Sequence, residues 1–170
     1  MTIHELNCLP ITEAHEVLTR CCGASRWAAE VIALRPLVDI NAVHSAADAI
    51  WAMMDRTDIL EAFSHHPQIG ADLVSLRQKF ARTANWSAGE QAGLQAADEV
   101  TLLGLVEGNR EYLTKFGHIF IVCASGKSAA EMLALLQARL ANDPDTELKI
   151  AAAEQAQIMH LRLDKLFESI

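Results

Sequence analysis

The feature that most constrains this chain is the punctuation between its apolar runs. Ser87-Ala88-Gly89-Glu90 and Ser128-Ala129-Ala130-Glu131 both have the spacing in which a serine hydroxyl caps a helix and a glutamate reaches back to the cap. Asp143-Pro144 puts a cap before a proline at the first helical position. Gly23 follows a helical pattern over 12–22, and Arg35-Pro36 stops another over 25–34, because the residue before a proline avoids the α region. Between these stops the apolar residues recur at helical spacing: Val43, Ala46, Ala47, Ile50 and Met54 over 41–54, then Ile59, Leu60 and Phe63 over 58–64. Further helices are expected over 71–84, from the Ser87 box to Lys115 with a break or bend near Gly104 or Gly108, from the Ser128 box to about residue 141, and from Pro144 to about residue 167. The last carries a stripe of Leu148, Ala152, Met159, Leu163 and Leu166.

Composition agrees. Half the residues are apolar (51%) but only 5% are aromatic, so the core must be built from Ala and Leu on helices. The reading is an all-α, single-domain bundle over residues 1–170, a length ample for one core. One segment departs from it. His118-Ile119-Phe120-Ile121-Val122-Cys123-Ala124, between Gly117 and Gly126, has the β-branched, aromatic look of a strand, with no partner strand in sight. A lone extended segment needs side chains or a ligand to satisfy its backbone, which makes it a candidate binding wall.

The formal net charge of −8 argues against nucleic acid, since phosphates would be repelled, and requires a local cation for any anionic substrate. Cys8, Cys21, Cys22 and Cys123 lack C-x-x-C spacing, so reduced thiols are expected rather than a disulfide framework or a zinc site. No apolar run reaches the roughly 18–20 residues of a membrane helix, and the start lacks a signal-peptide pattern. The expected location is the cytoplasm, with no membrane partner.

Four features carry chemistry. In His65-His66-Pro67-Gln68-Ile69-Gly70, Pro67 forces His66 out of helical geometry just past a helix end. The partial negative charge there favours imidazolium, and the histidine is suited to general acid or base work; the plain alternative is a helix-end cap. Glu90 is the third residue of its capping box, which suffices as a structural role, yet a helix N-terminus also fixes a carboxylate and offers free amides. Arg162 flanks the last helix's apolar stripe, either as a cation with its stem on the core and its head in water or as a partly buried group awaiting an anion. His44, His118 and His160 are scattered. No metal-ligand spacing, Gly-rich phosphate loop or G-x-S-x-G elbow occurs, so neither a metal nor a nucleotide is expected.

Several segments in series resemble one family. His66-Pro67 with Ile69-Gly70 looks like its H-P-x-x-G element, and Ser87 through Leu94 like its S-x-x-E-Q segment. Glu111-Tyr112 and the run Lys115-Phe116-Gly117-His118 to Cys123 look like its Y-x-x-K-F-G-x-x-F-I core. Arg139-Leu140, Asn142, Glu147, Glu154, Ile158, Arg162-Leu163 and Leu166 follow its C-terminal pattern. The family is 2-oxo-4-hydroxy-4-carboxy-5-ureidoimidazoline (OHCU) decarboxylase, of the urate-to-allantoin route. The resemblance runs from about residue 10 to the end. It departs at His118, where an apolar or aromatic residue is expected, and at His65, an extra titratable neighbour.

The resemblance implies about eight to ten helices, a homodimer, no cofactor, and the decarboxylation of OHCU to (S)-allantoin. It makes His66 the proton donor, with Glu90 beside it in the catalysis. Substrate contacts are implied for Pro67, Ser87, Gln91, Arg162 and the backbone of Phe120, Ile121, Val122, Cys123 and Ala124. The residues alone leave two rivals: another cofactor-free isomerase or cyclic-amide hydrolase using the same His and Glu, and a non-enzymatic helical interaction module.

Overall fold

The computed structural model describes residues 1–68 and 91–168, and of 91–98 only the backbone. The helix expected over 71–84, together with Ser87 and Glu90, lies outside the described residues. The described residues form eight helices and no strand, in two compact units.

The first unit comprises 1–66 and the chain from Ala151 onward. It holds α1 (Ile3–Cys8), α2 (Ile11–Cys22), α3 (Ser25–Ala33), α4 (Ile40–Trp51), α5 (Arg56–Ser64) and most of α8 (Pro144–Phe167). Helix α1 was not anticipated. At six residues it is too short to show a period, yet Thr2 and Glu5 form a complete capping box at its start. Asp39 caps α4, and Asp55 with Asp58 makes the box that opens α5 earlier than the apolar pattern indicates. Leu6, Leu18, Trp27, Val31, Val43, Ala47, Ile50, Met159 and Leu163 form one buried cluster. Two tryptophans spend their indole N–H on backbone: Trp27 donates to the Ala47 carbonyl and Trp51 to that of Ala152, both at 3.1 Å. Each keeps a polar handle satisfied while burying a large ring.

The second unit, 67–150, contains α6 (Gln91–Phe116), the segment 118–124, α7 (Ala129–Arg139) and the start of α8. Its core is Leu102, Leu105, Tyr112, Phe116, Phe120, Val122, Met132 and Leu136. The break expected near Gly104 or Gly108 does not occur, and α6 runs through both. These glycines serve packing instead. A Cβ on Gly104 would lie 3.0 Å from Leu133 Cδ2, and one on Gly108 2.7 Å from Leu136 Cδ2. Glycine therefore lets α7 come close to α6. The second capping box forms as expected: Glu131 N–H donates to the Ser128 hydroxyl at 3.3 Å, and Ser128 N–H to the Glu131 carboxylate at 2.8 Å. Asp143 caps α8 by accepting from Asp145 and Thr146 N–H.

The buried face of α8 differs from the expected stripe in its first half. The fully buried row is Glu147, Ala151, Gln155, Met159 and Leu163, one residue every fourth position. Leu148 and Ala152 are half-buried at its flank. Two polar residues thus occupy core positions on this helix, and each anchors a separate cluster.

Candidate functional site

In the first unit, three helix segments bring His66, Arg162 and Gln155 together. Helix α2 ends at Gly23, whose φ of 95° requires glycine. A Cβ there would lie 2.9 Å from the Ala62 carbonyl oxygen and 3.0 Å from His65 Cβ. The close fit seats the end of α5 against the end of α2. Backbone bonds from His65 N–H to Ala62 O and from His66 N–H to Phe63 O then fix the turn that presents His66.

Arg162, from α8, donates through one terminal nitrogen to the carbonyls of Arg20 and Cys21, both at 3.3 Å. Those are C-terminal carbonyls of α2, where a cation is favoured. Its other terminal nitrogen donates to His66 Nδ1 at 3.4 Å. A guanidinium has no acceptor, so Nδ1 carries the lone pair and the ring proton sits on Nε2. His66 is half-buried, and its Nε2 has no hydrogen-bond partner among the described residues.

Burial above all, then the charges of Arg162 and His65, hold the His66 imidazole below its usual pKa; Gln155 acts in the opposite sense. Neutral imidazole is therefore the resting form. The expectation that the helix end favours imidazolium is overturned, because burial and an adjacent guanidinium outweigh a partial helix-end charge. Burial likewise pushes the neighbouring thiols up, Cys21 to about 11 and Cys22 to about 12, so neither is a thiolate nucleophile.

Pro67 is exposed. Gln91 lies in α6, and its side chain lies outside the described residues, as do Ser87 and Glu90. Phe120, Ile121, Val122, Cys123 and Ala124 belong to the second unit, in a stretch that is neither helix nor strand. Side chains hold its backbone: Arg139 donates to the Ile121 carbonyl at 2.8 Å, and Lys127 Nζ to that of Cys123 at 2.7 Å. The Phe120, Ile121, Val122 and Cys123 side chains are buried, which fixes the run from the other side. His118 takes an aromatic place after all: it is buried with its ring edge-on to Tyr112, centroids 5.5 Å apart.

Arg139 is itself held by a buried carboxylate. Glu147 accepts from Arg139 Nε at 2.7 Å, from Asn142 Nδ2 at 2.7 Å and from the Tyr112 hydroxyl. Burial and the Glu147 carboxylate push the Tyr112 hydroxyl far up, so it stays a donor. The Arg139 guanidinium also lies 4.7 Å from the centre of the Phe120 ring. Sequence reasoning assigned no role to this cluster or to Gln155. The available signal was the fourfold spacing of Glu147, Ala151, Gln155, Met159 and Leu163.

Among the described residues no group of three His, Cys, Asp or Glu side chains is placed to hold a metal ion, and no helix is long and apolar enough to cross a membrane.

The OHCU decarboxylase family model matches residues 7–164. The uric acid degradation bifunctional protein TTL of Arabidopsis thaliana is 44% identical over 149 residues, 86% of this chain and 45% of that protein. The 2-oxo-4-hydroxy-4-carboxy-5-ureidoimidazoline decarboxylase of Mus musculus is 29% identical over 140 residues, 82% of this chain and 77% of that protein. A crystal structure of OHCU decarboxylase in the presence of (S)-allantoin is similar at a TM-score of 0.71 and 38% identity, covering 89% of this chain and 96% of that one. The chain spans less than half the length of the bifunctional relatives it matches, 45% for the Arabidopsis protein and 32% for the PucL protein of Bacillus subtilis.

Proposed function

Since the chain belongs to the OHCU decarboxylase family, we propose that it decarboxylates OHCU to (S)-allantoin in urate breakdown, as a carboxy-lyase. The observation that carries this reading is the pairing of a neutral, half-buried His66 with the Arg162 guanidinium at 3.4 Å. In an acidic chain, a cation beside a titratable imidazole is the local feature an anionic substrate needs.

The reaction breaks the bond between the ring carbon and its carboxylate. The electron pair enters the ring and forms a carbon–carbon double bond as the adjacent C=N accepts charge, so the substrate carries its own electron sink. The reading therefore needs no cofactor. Arg162 anchors the carboxylate through charge-assisted contacts. Bringing an anion to this position also raises the proton affinity of His66, opposing the Arg162 charge that depresses it at rest. A carboxylate that draws Arg162 off Nδ1 leaves that nitrogen to be protonated, and His66 delivers the Nδ1 proton to one face of the ureido-bearing carbon, which sets the (S) configuration.

The family resemblance assigns Glu90 to orienting the substrate. It assigns further contacts to Pro67, Ser87, Gln91 and the backbone of Phe120, Ile121, Val122, Cys123 and Ala124. A homodimer in the cytoplasm completes the proposal.

The test follows the circular dichroism of allantoin from freshly generated substrate, together with CO2 release. Wild type gives a fast, single-handed signal, and His66→Asn gives neither the rate nor the handedness. Full activity and stereoselectivity in His66→Asn would remove His66 from the mechanism. Slow racemic product with wild type would remove the reaction itself.

A further inference from the structure

Two complementary buried atoms at this site have no hydrogen-bond partner among the described residues. One is His66 Nε2, which must be a donor because Arg162 occupies Nδ1. The other is Gln155 Oε1. Gln155 is fully buried, and its amide nitrogen donates to the Cys22 carbonyl at 2.9 Å. That bond fixes which way the amide points, and the oxygen, an acceptor, is the amide atom left without a partner. Neither Nε2 nor Oε1 has a partner of ordinary geometry among the described residues, although Gln155 is near enough to His66 to favour its charged form. Leaving both atoms unpaired in a buried place is unfavourable, and each offers what the other lacks.

We propose that Gln155 is a positioning residue for His66: held by the Cys22 carbonyl, its Oε1 faces the Nε2–H edge and, opposite Arg162 at Nδ1, fixes both the tautomer and the aim of the imidazole. The chain of donors then runs one way round the end of α2. Arg162 donates to Arg20 and Cys21 carbonyls and to Nδ1, Nε2–H donates to Gln155, and the Gln155 amide donates to the Cys22 carbonyl. The inference rests on the functional reading above for the importance of His66, while its geometry is independent of it. Among the described residues the other titratable group acting on this ring is His65, and the neutral Cys22 thiol lies next to Gln155.

The test uses the full chain labelled with 15N-histidine, the His66 ring signals being those lost in His66→Asn. Wild type shows a protonated Nε2 and an unprotonated Nδ1 at neutral pH. In Gln155→Glu, a carboxylate facing Nε2 raises the His66 proton affinity by about tenfold or more, one pH unit in the titration. In Gln155→Leu the affinity falls and the tautomer preference weakens, with turnover reduced in kcat more than in KM. A merely structural Gln155 lowers the melting temperature of both variants and leaves the His66 titration where it was. An Nδ1–H tautomer in wild type overturns the proposal without any variant, as does an unshifted His66 titration in folded Gln155→Glu. If the titrations move as expected while wild type releases no CO2, the positioning stands and the reaction assignment falls. If wild type turns over and the titrations do not move, the reverse holds.

Discussion

Replacing Glu147 by alanine tests the most concentrated electrostatic feature of the second unit. Its carboxylate is fully buried and accepts from Tyr112, Arg139 and Asn142. Removing it leaves the Arg139 guanidinium, whose side chain is only 8% exposed, without its counter-charge. Breaking one side of such a buried pair typically costs about 3–5 kcal/mol. The Phe120 ring under Arg139 and the Ile121 carbonyl remain as partners, which places the expected cost in the lower half of that range. Against a total stability of roughly 5–15 kcal/mol this is a large fraction. Urea unfolding of the full chain reads it directly: with a slope of about 1–3 kcal/mol/M, the midpoint falls by roughly 1–4 M. The double variant Arg139→Met, Glu147→Leu removes both charges and recovers much of the loss, because no unpaired ion remains. A single-variant loss below about 1 kcal/mol, or a double variant no better than the sum of the singles, would refute the reasoning that the pair is mutually required.

Two more outcomes follow from geometry already given. His66 has a folded-state pKa below the ordinary 6.5, so between those values the unfolded chain holds more protons and stability falls as pH falls. Urea midpoints at about pH 7.5 and about pH 5.5 should therefore drop less in His66→Asn than in wild type; an equal drop would show that His66 is not depressed. The glycines of α6 give opposed results. Gly108→Ala meets fully buried Leu136 at 2.7 Å, and overpacking of about 1–3 kcal/mol exceeds or cancels the helix-propensity gain of about 1 kcal/mol. Gly104→Ala meets half-buried Leu133 at 3.0 Å, a side chain that can give way, and comes out neutral or slightly stabilising. Thermal midpoints that rank Gly104→Ala as the more harmful would reverse this argument.

Helix limits were readable wherever a cap and an apolar period coincide, as at Ser128, Asp143 and Gly23. They were misread where one signal stood alone. Gly104 and Gly108 resemble breaks in a linear sequence, because the demand they answer comes from a helix beginning some twenty residues later at Ala129. The same limit applies to α8. Treating polar residues as outward-facing moves the stripe to Leu148 and Ala152, while the buried row runs through Glu147 and Gln155. A buried polar residue is legible only through its partners, and one of them lies far away in sequence in each case: Cys22 for Gln155, and Tyr112 for Glu147 beside the nearer Arg139 and Asn142. His66 and Arg162 could be singled out because one precedes a proline and the other flanks a stripe. Their mutual contact could not, since 96 residues separate them.

The hydrogen bonds of Arg162 have one further consequence. At 3.3 and 3.4 Å they are longer than the roughly 2.7–2.9 Å of a strong charge-assisted bond. The described residues tether the guanidinium rather than saturate it, and a bidentate anion would draw it off these partners with little to lose. That makes the choice of buffer a variable. Phosphate and sulfate have the fork geometry Arg162 prefers and would occupy the position competitively. A salt of weakly coordinating ions would instead screen the repulsion that a chain of net charge −8 exerts on an incoming anion. Raising ionic strength with one kind of salt or the other should therefore shift anion affinity in opposite directions.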